Sequence, residues 1–238
     1  MAVDVTDPSE SRILVWDLPT RVFHWMLVVT LVGSWVTHEM GLEWTELHMS
    51  FGYTALGLVV FRIIWGLVGP AHARFASFLA SPRRTVGYAK HWLAGDPPRY
   101  TGHNPLGGWA IIAMLLVVLL QAVSGLFNSD DIMYSGPWHG SVSERTVDLM
   151  HEIHEINFNI LLLLAALHLG AIFSYWVRWR VDLLRPMISG LKPLHLADPD
   201  HGIAGQRLLL AVIALGLATA VVWLVVSSAP TPSAEDFF

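Results

Sequence analysis

Five apolar runs, at about residues 22 to 37, 49 to 69, 107 to 127, 155 to 177 and 208 to 226, constrain this chain more than any other feature. A helix needs roughly 20 apolar residues to cross a hydrocarbon core of about 30 Å, and the last four runs are long enough. The first is short by that standard and is expected to borrow Val15 and Trp16 or to begin at the interface. Hydrophobic residues make up 54% of the chain and charged ones only 14%, against about a quarter charged in soluble domains. The chain is therefore placed in a membrane. Its opening segment is polar, acidic and proline-containing rather than basic and then apolar, so no cleavable signal is expected and the first span stays as an anchor.

Lysine and arginine accumulate in cytoplasmic loops near span ends. Twelve of the fourteen lie on one side: Arg12 and Arg21 before the first span, Arg74, Arg83, Arg84, Lys90 and Arg99 between the second and third, and Arg178, Arg180, Arg185, Lys192 and Arg207 between the fourth and fifth. The opposite connections hold Glu39, Glu43, Glu46, Asp130, Asp131, Glu144 and Asp148 with the single Arg145. This asymmetry predicts the N-terminus inside and the C-terminus outside. The tryptophans gather near span ends, as an aromatic belt against lipid should.

Cysteine is absent. That removes disulfides, thiolate metal sites, iron-sulfur clusters and the CxxCH attachment of c-type haem, leaving histidine as the principal ligand. Once the spans are oriented, the histidines acquire depths. His24 falls at the inner start of span one, His48 at the outer start of span two, and span four carries His154 near the outer surface and His168 toward the inner one. Fourteen helical residues separate the latter two by about 21 Å and bring them within about 40° of one face. Pairing by leaflet joins His24 with His168 and His48 with His154, each pair from two helices. Two six-coordinate haems stacked across a bilayer require that arrangement. The fold predicted is an all-α integral membrane protein, a four-helix haem-binding bundle with a fifth C-terminal transmembrane helix. Residues 1–21 form a cytoplasmic segment, 22–192 the membrane domain, and 193–238 a linker, the fifth helix and a periplasmic tail.

Two histidines compete for these roles. His38 also follows His24 by fourteen residues, so helices one and four would supply all four ligands if His38 replaced His48; periodicity leaves that open, although its place beside Glu39 suits a solvated loop. His151 precedes His154 by three residues and is read as a surface or supporting group.

Taken together, RVFHW at 21 to 25, RYTGHNPL at 99 to 106, the HxxHE pattern from His151 to Glu155, His168, ISGLK at 188 to 192, and His48 followed after fourteen residues by Arg62 resemble the bacterial cytochrome b561 group. More narrowly, they resemble the b-type cytochrome subunit of membrane nickel-iron hydrogenases. The similarity covers about residues 12 to 192. It implies two b haems on His24, His48, His154 and His168, favours His48 over His38, and implies electron transfer across the bacterial inner membrane between the quinone pool and a periplasmic redox protein. The fifth apolar run and the short outer loops depart from the hydrogenase subunits, and make a periplasmic c-type cytochrome an equal candidate partner.

Other residues support this core. Gly52, one turn beyond His48, would let a porphyrin lie flat against the helix, or serve only close helix packing. Arg62, about 21 Å inward of His48, would pair with a haem propionate or snorkel to lipid phosphate; Arg21 is read as an interfacial anchor. The GHNP turn from Gly102 to Pro105 is read first as a helix-leading turn and second as a place where His103 exchanges a proton with a quinone. The outer acids would steer a basic partner, or reflect topology alone. Lipid surrounds the protein, and no nucleic-acid partner is expected. Two further functions remain as alternatives: a stand-alone b561-type oxidoreductase such as a superoxide oxidase, and a histidine-lined transporter for a metal ion.

Overall fold

A backbone in lipid must satisfy its own N–H and C=O groups, which makes helices of apolar runs. The computed structural model describes residues 12–129, 134–197 and 202–230. Among them are β1 (Arg12–Leu14), α1 (Leu18–Glu39), α2 (Thr45–Val68), α3 (Phe75–Phe78), α4 (Pro82–Ala94), α5 (Pro105–Gly125), α6 (Glu144–Trp179), α7 (Leu184–Ser189), β2 (Leu191–Pro193) and α8 (Leu208–Ser227). Asp130, Asp131 and the predicted tail from 231 to 238 lie outside the described residues, as does most of the N-terminal segment.

Among the described residues four helices are long and apolar enough to cross a membrane: α2 with the turn before it, α5, α6 and α8. The 22 residues of α1 extend about 33 Å, long enough to cross, but Arg21, His24, His38 and Glu39 make it less apolar. The fourth expected span grows into a helix of 36 residues. It starts early because Ser143 caps it, its carbonyl accepting from Thr146 and Val147 N–H at 2.8 and 3.1 Å, and because no glycine or proline interrupts the chain before Gly170.

The residues form two compact units, each assembled from three separate stretches of the chain. The first holds Met1–Phe23, Ile63–Ala113 and Ala166–Val212. Here β1 and β2 pair antiparallel with Ile13 opposite Lys192, and the N–H groups of Val15 and Trp16 share the Gly190 carbonyl at 2.9 and 3.1 Å. Gly190 has φ 84°, and a Cβ there would stand 2.7 Å from the Trp16 carbonyl oxygen. Only glycine tolerates both the dihedral and the approach.

The ribbon delivers Asp17 to the start of α1, fully buried. Its carboxylate accepts from Thr20 N–H at 2.9 Å, Thr20 Oγ1 at 2.8 Å and Trp65 Nε1 at 3.0 Å. This is an N-cap whose side chain also satisfies the buried indole of α2. Lys192, 8% exposed, donates to the carbonyls of Tyr100 and Thr101 at 2.6 and 3.2 Å, closing the loop onto the ribbon. Burial pulls its ammonium pKa down to about 8.

The second unit holds His24–Arg62, Met114–Ala165 and Ile213–Phe238. Its core joins Ala55, Val59 and Val118 with Leu27, Leu31 and Leu161, and Leu56, Ala122 and Leu126 with Val222 and Val225 of α8. Ala214 and Ala218 of α8 are buried, the small-residue face that close helix packing in lipid requires.

Asp17→Ala removes the cap and leaves Trp65 with a poorer acceptor; a loss of about 1–3 kcal/mol is expected, read as a lower thermal midpoint with altered tryptophan emission. Lys192 has a second, pH-dependent effect. Between pH 8 and its ordinary value of 10.5 the unfolded chain binds the extra proton, so the folding cost is complete below pH 8 and is relieved as pH rises. The stability of the native chain relative to Lys192→Met should therefore climb across that window; a flat difference would contradict it.

Candidate functional site

Within the second unit α1, α2 and α6 bring His38, His48 and His154 together. The His48 and His154 rings stand with centroids 6.4 Å apart and planes at 69°, and the His38 ring is 5.8 Å from His48. Imidazoles bound to one metal from opposite sides through bonds of about 2 Å have ring centroids about 6 Å apart. Spacing alone therefore suits His38 as well as His154 for a place beside His48. The second ring nitrogen separates them.

The His48 ring reaches the backbone of α1 because Gly33 admits Phe51: a Cβ on Gly33 would fall 2.5 Å from the Phe51 ring. One turn of α2 away, His48 Nδ1 lies 2.8 Å from the Ser34 carbonyl oxygen and 3.3 Å from Ser34 Oγ. A carbonyl only accepts, so Nδ1 carries the proton and Nε2 keeps its lone pair for a metal. His154 Nδ1 lies 3.0 Å from Ser124 Oγ, and that hydroxyl donates its own proton to the Gln121 carbonyl at 3.1 Å. It must therefore accept from His154, again reserving Nε2. Gln121 Nε2 donates to the His154 carbonyl at 3.0 Å, while Asn157 Nδ2 donates to Gln121 Oε1 at 2.7 Å and to the Val117 carbonyl at 2.9 Å. Ligating histidines characteristically use the far nitrogen in this way. The His38 ring is exposed and has no such acceptor among the described residues.

Nothing lies within 4 Å of a Cβ built on Gly52, so beside His48 the face of α2 is open to a flat macrocycle. Arg62, in the same unit, is 2% exposed, away from the lipid-facing surface where a snorkelling guanidinium would sit. The residues present fit a haem between His48 and His154.

His24 belongs to the second unit, its ring edge-on to Trp25 at 5.0 Å. His168 is half-buried and belongs to the first. His151 is an exposed surface group, its Nε2 3.4 Å from Glu155 Oε1, and such pairs contribute little. Glu39, Glu43, Glu46, Glu144 and Asp148 are exposed as well. In the first unit the GHNP segment is a capped turn: Asn104 Oδ1 accepts from Gly107 N–H at 2.7 Å, with Pro105 opening α5. The His103 ring sits 4.5 Å from Trp16 and 4.8 Å from Phe78. Among the described residues no group of three or more His, Cys, Asp or Glu gathers as a bare metal ion would require.

Sequence reading missed Ser34, Gln121, Ser124 and Asn157. Gln121 and Ser124 did carry a signal, two polar residues three apart, on one face of an otherwise apolar run.

Residues 15–190 match the model of the prokaryotic cytochrome b561 family. Similar proteins include the probable Ni/Fe-hydrogenase B-type cytochrome subunits of Rhizobium leguminosarum bv. viciae, 24% identical over 76% of this chain and 89% of that one, and of Bradyrhizobium diazoefficiens, 26% identical over 80% and 92%. The corresponding subunit of Azotobacter chroococcum is 22% identical over 81% and 93%. No solved structure matches. The family match ends before α8 and covers most of the chain ahead of it, including α1, α2, α5 and α6. This chain belongs to the prokaryotic cytochrome b561 family, a transmembrane b-type cytochrome of electron transport.

Proposed function

We propose that this protein carries electrons one at a time across the bacterial inner membrane, between the quinone pool and a periplasmic redox protein, through two b haems. The observation that carries the proposal is the His48–His154 pair, spaced as two axial ligands with both Nδ1 protons committed to α1 and α5 acceptors. These two would hold the outer haem, and His24 with His168 the inner one, by their matching depth in the oriented chain. Haem b supplies the one-electron iron chemistry; the chain supplies ligands, burial and nearby charge that set its potential. Arg62, buried in the second unit, would meet an inner-haem propionate through charge-assisted hydrogen bonds.

The orientation follows from the basic loops: N-terminus in the cytoplasm, α1 as the first of five spans, C-terminus in the periplasm. The periplasmic partner would be a c-type cytochrome or a hydrogenase, the latter because the relatives are named as hydrogenase cytochrome subunits. Exposed glutamates on the predicted outer loops would favour a basic docking face.

A dithionite-reduced minus oxidised spectrum with a pyridine haemochrome count tests this. Two b haems per chain are expected. His48→Ala and His154→Ala should lose the outer one, His24→Ala and His168→Ala the inner one, and His38→Ala neither. One haem in His38→Ala with two in His48→Ala would reassign the ligand; no haem in protein made with ample haem supply would overturn the proposal. Gly52→Val gives a separate reading. Valine at this position meets no neighbouring protein atom within 4 Å of its Cβ, so the fold should persist while haem content falls from two toward one per chain. Unchanged content would put the macrocycle elsewhere.

A further inference from the structure

The acceptors beneath the two ligand candidates of the second unit differ in which of them is nearest. His48 Nδ1 lies closest to the Ser34 backbone carbonyl, with the Ser34 hydroxyl farther off. His154 Nδ1 lies 3.0 Å from the Ser124 hydroxyl, with the Gln121 backbone carbonyl also hydrogen-bonding its ring, and of these two the hydroxyl is the one that a single substitution removes. We propose that Ser124 is a positioning residue for the haem ligand His154, its hydroxyl holding the Nδ1 proton, fixing the ring's tautomer and lowering the potential of the haem bound there. The proposal rests on the ligand assignment given above.

The surroundings of Ser124 support it. Ser124 is 0% exposed, so no water competes for the imidazole proton. Its own proton is committed to the Gln121 carbonyl, so the oxygen has no alternative but to accept. Gln121 is itself held by Asn157, 3% exposed, and returns a bond to the His154 carbonyl, which leaves the serine little freedom to turn away. Gly125 completes the fit: a Cβ there would stand 3.2 Å from His154 Cε1, against the ring edge that Ser124 orients. An imidazole whose N–H is engaged is a stronger donor through its other nitrogen. It stabilises ferric over ferrous iron and draws the midpoint potential down.

The test uses the full-length haem-loaded protein and the variants Ser124→Ala, Ser124→Val and Ser124→Thr. Valine and threonine share a shape and differ in the hydroxyl, which separates hydrogen bonding from packing. Redox titration of the reduced-minus-oxidised spectrum and electron paramagnetic resonance of the ferric low-spin signals are the readouts. With Ala and Val, two haems should remain, one midpoint potential should move upward with its signal, and the other should stay; Thr should titrate as the native protein does. Native potentials in all three variants would overturn the proposal, as would equal shifts, or equal loss of a haem, in Val and Thr. Failure of the underlying ligand assignment is distinguishable: His154→Ala would then retain both haems.

Discussion

An imidazole buried among apolar helices has two nitrogens to satisfy, and the packing of the second unit follows from satisfying both. Leaving a buried N–H without an acceptor costs about 1–3 kcal/mol, a sizeable fraction of the roughly 5–15 kcal/mol that holds a typical protein folded. The acceptor on α1 is the Ser34 carbonyl, and a helix exposes a carbonyl laterally to a neighbour only at close approach. Gly33 permits that approach by leaving room for the Phe51 ring. The acceptor on α5 is Ser124, held by Gln121 and through it by Asn157. One small residue and one polar network thus convert two helix contacts into a defined pair of nitrogen lone pairs.

Hydropathy made the long helices legible because lipid leaves the backbone no alternative structure. The nearness of His48 to His154 was legible too, since the oriented spans put both at the same end, and their rings stand 6.4 Å apart. Rotation about each helix axis was not. His38 and His48 both approach one another in the structure, and periodicity gave each an equal claim; what distinguishes them is an acceptor carbonyl, a feature of every residue and therefore invisible in any one. The early start of α6 was missed because an apolar count sees only the part in lipid, whereas Ser143 and an unbroken run of helix formers extend the helix well beyond it. Asp17 escaped for the opposite reason: D-L-P-T is a recognisable helix start, but the buried indole of Trp65 that gives the carboxylate a second task lies 48 residues away.

In the first unit the loops carry the polar residues, and its order comes from backbone carbonyls claimed by side chains. Lys192 takes those of Tyr100 and Thr101, Trp109 that of Ala80, and Trp179 that of Gly95. Each such bond consumes an acceptor that would otherwise need water at an interface where water is scarce. The RYTGHNPL and ISGLK segments meet through Lys192, which donates to the Tyr100 and Thr101 carbonyls. The same physics explains the cost borne by Lys192, whose burial disfavours its charge even as two carbonyls solvate it.

The fifth helix obeys a different rule, since apolar helices gain nothing from each other by hydrophobicity once both are in lipid. α8 is apolar all round, and most of its large side chains stay exposed on the protein, as lipid contact allows. Its attachment must then come from close packing and from hydrogen bonds. Ala214 and Ala218 provide the first, and Val222 packs 3.5 Å from a Cβ placed on Gly57 of α2. The second is found at both ends. Before the helix, Arg207 donates to the Val68 and Gly69 carbonyls at the end of α2, at 2.8 and 3.3 Å, where a cation also complements the helix dipole. Near its other end, the Val225 carbonyl accepts from Trp138 Nε1 at 2.8 Å. A helix beyond the family's matched span is thereby fixed to α2 and to the loop between α5 and α6 by polar contacts near its termini, where the interface lets polar groups exist, and by small residues between them, where it does not.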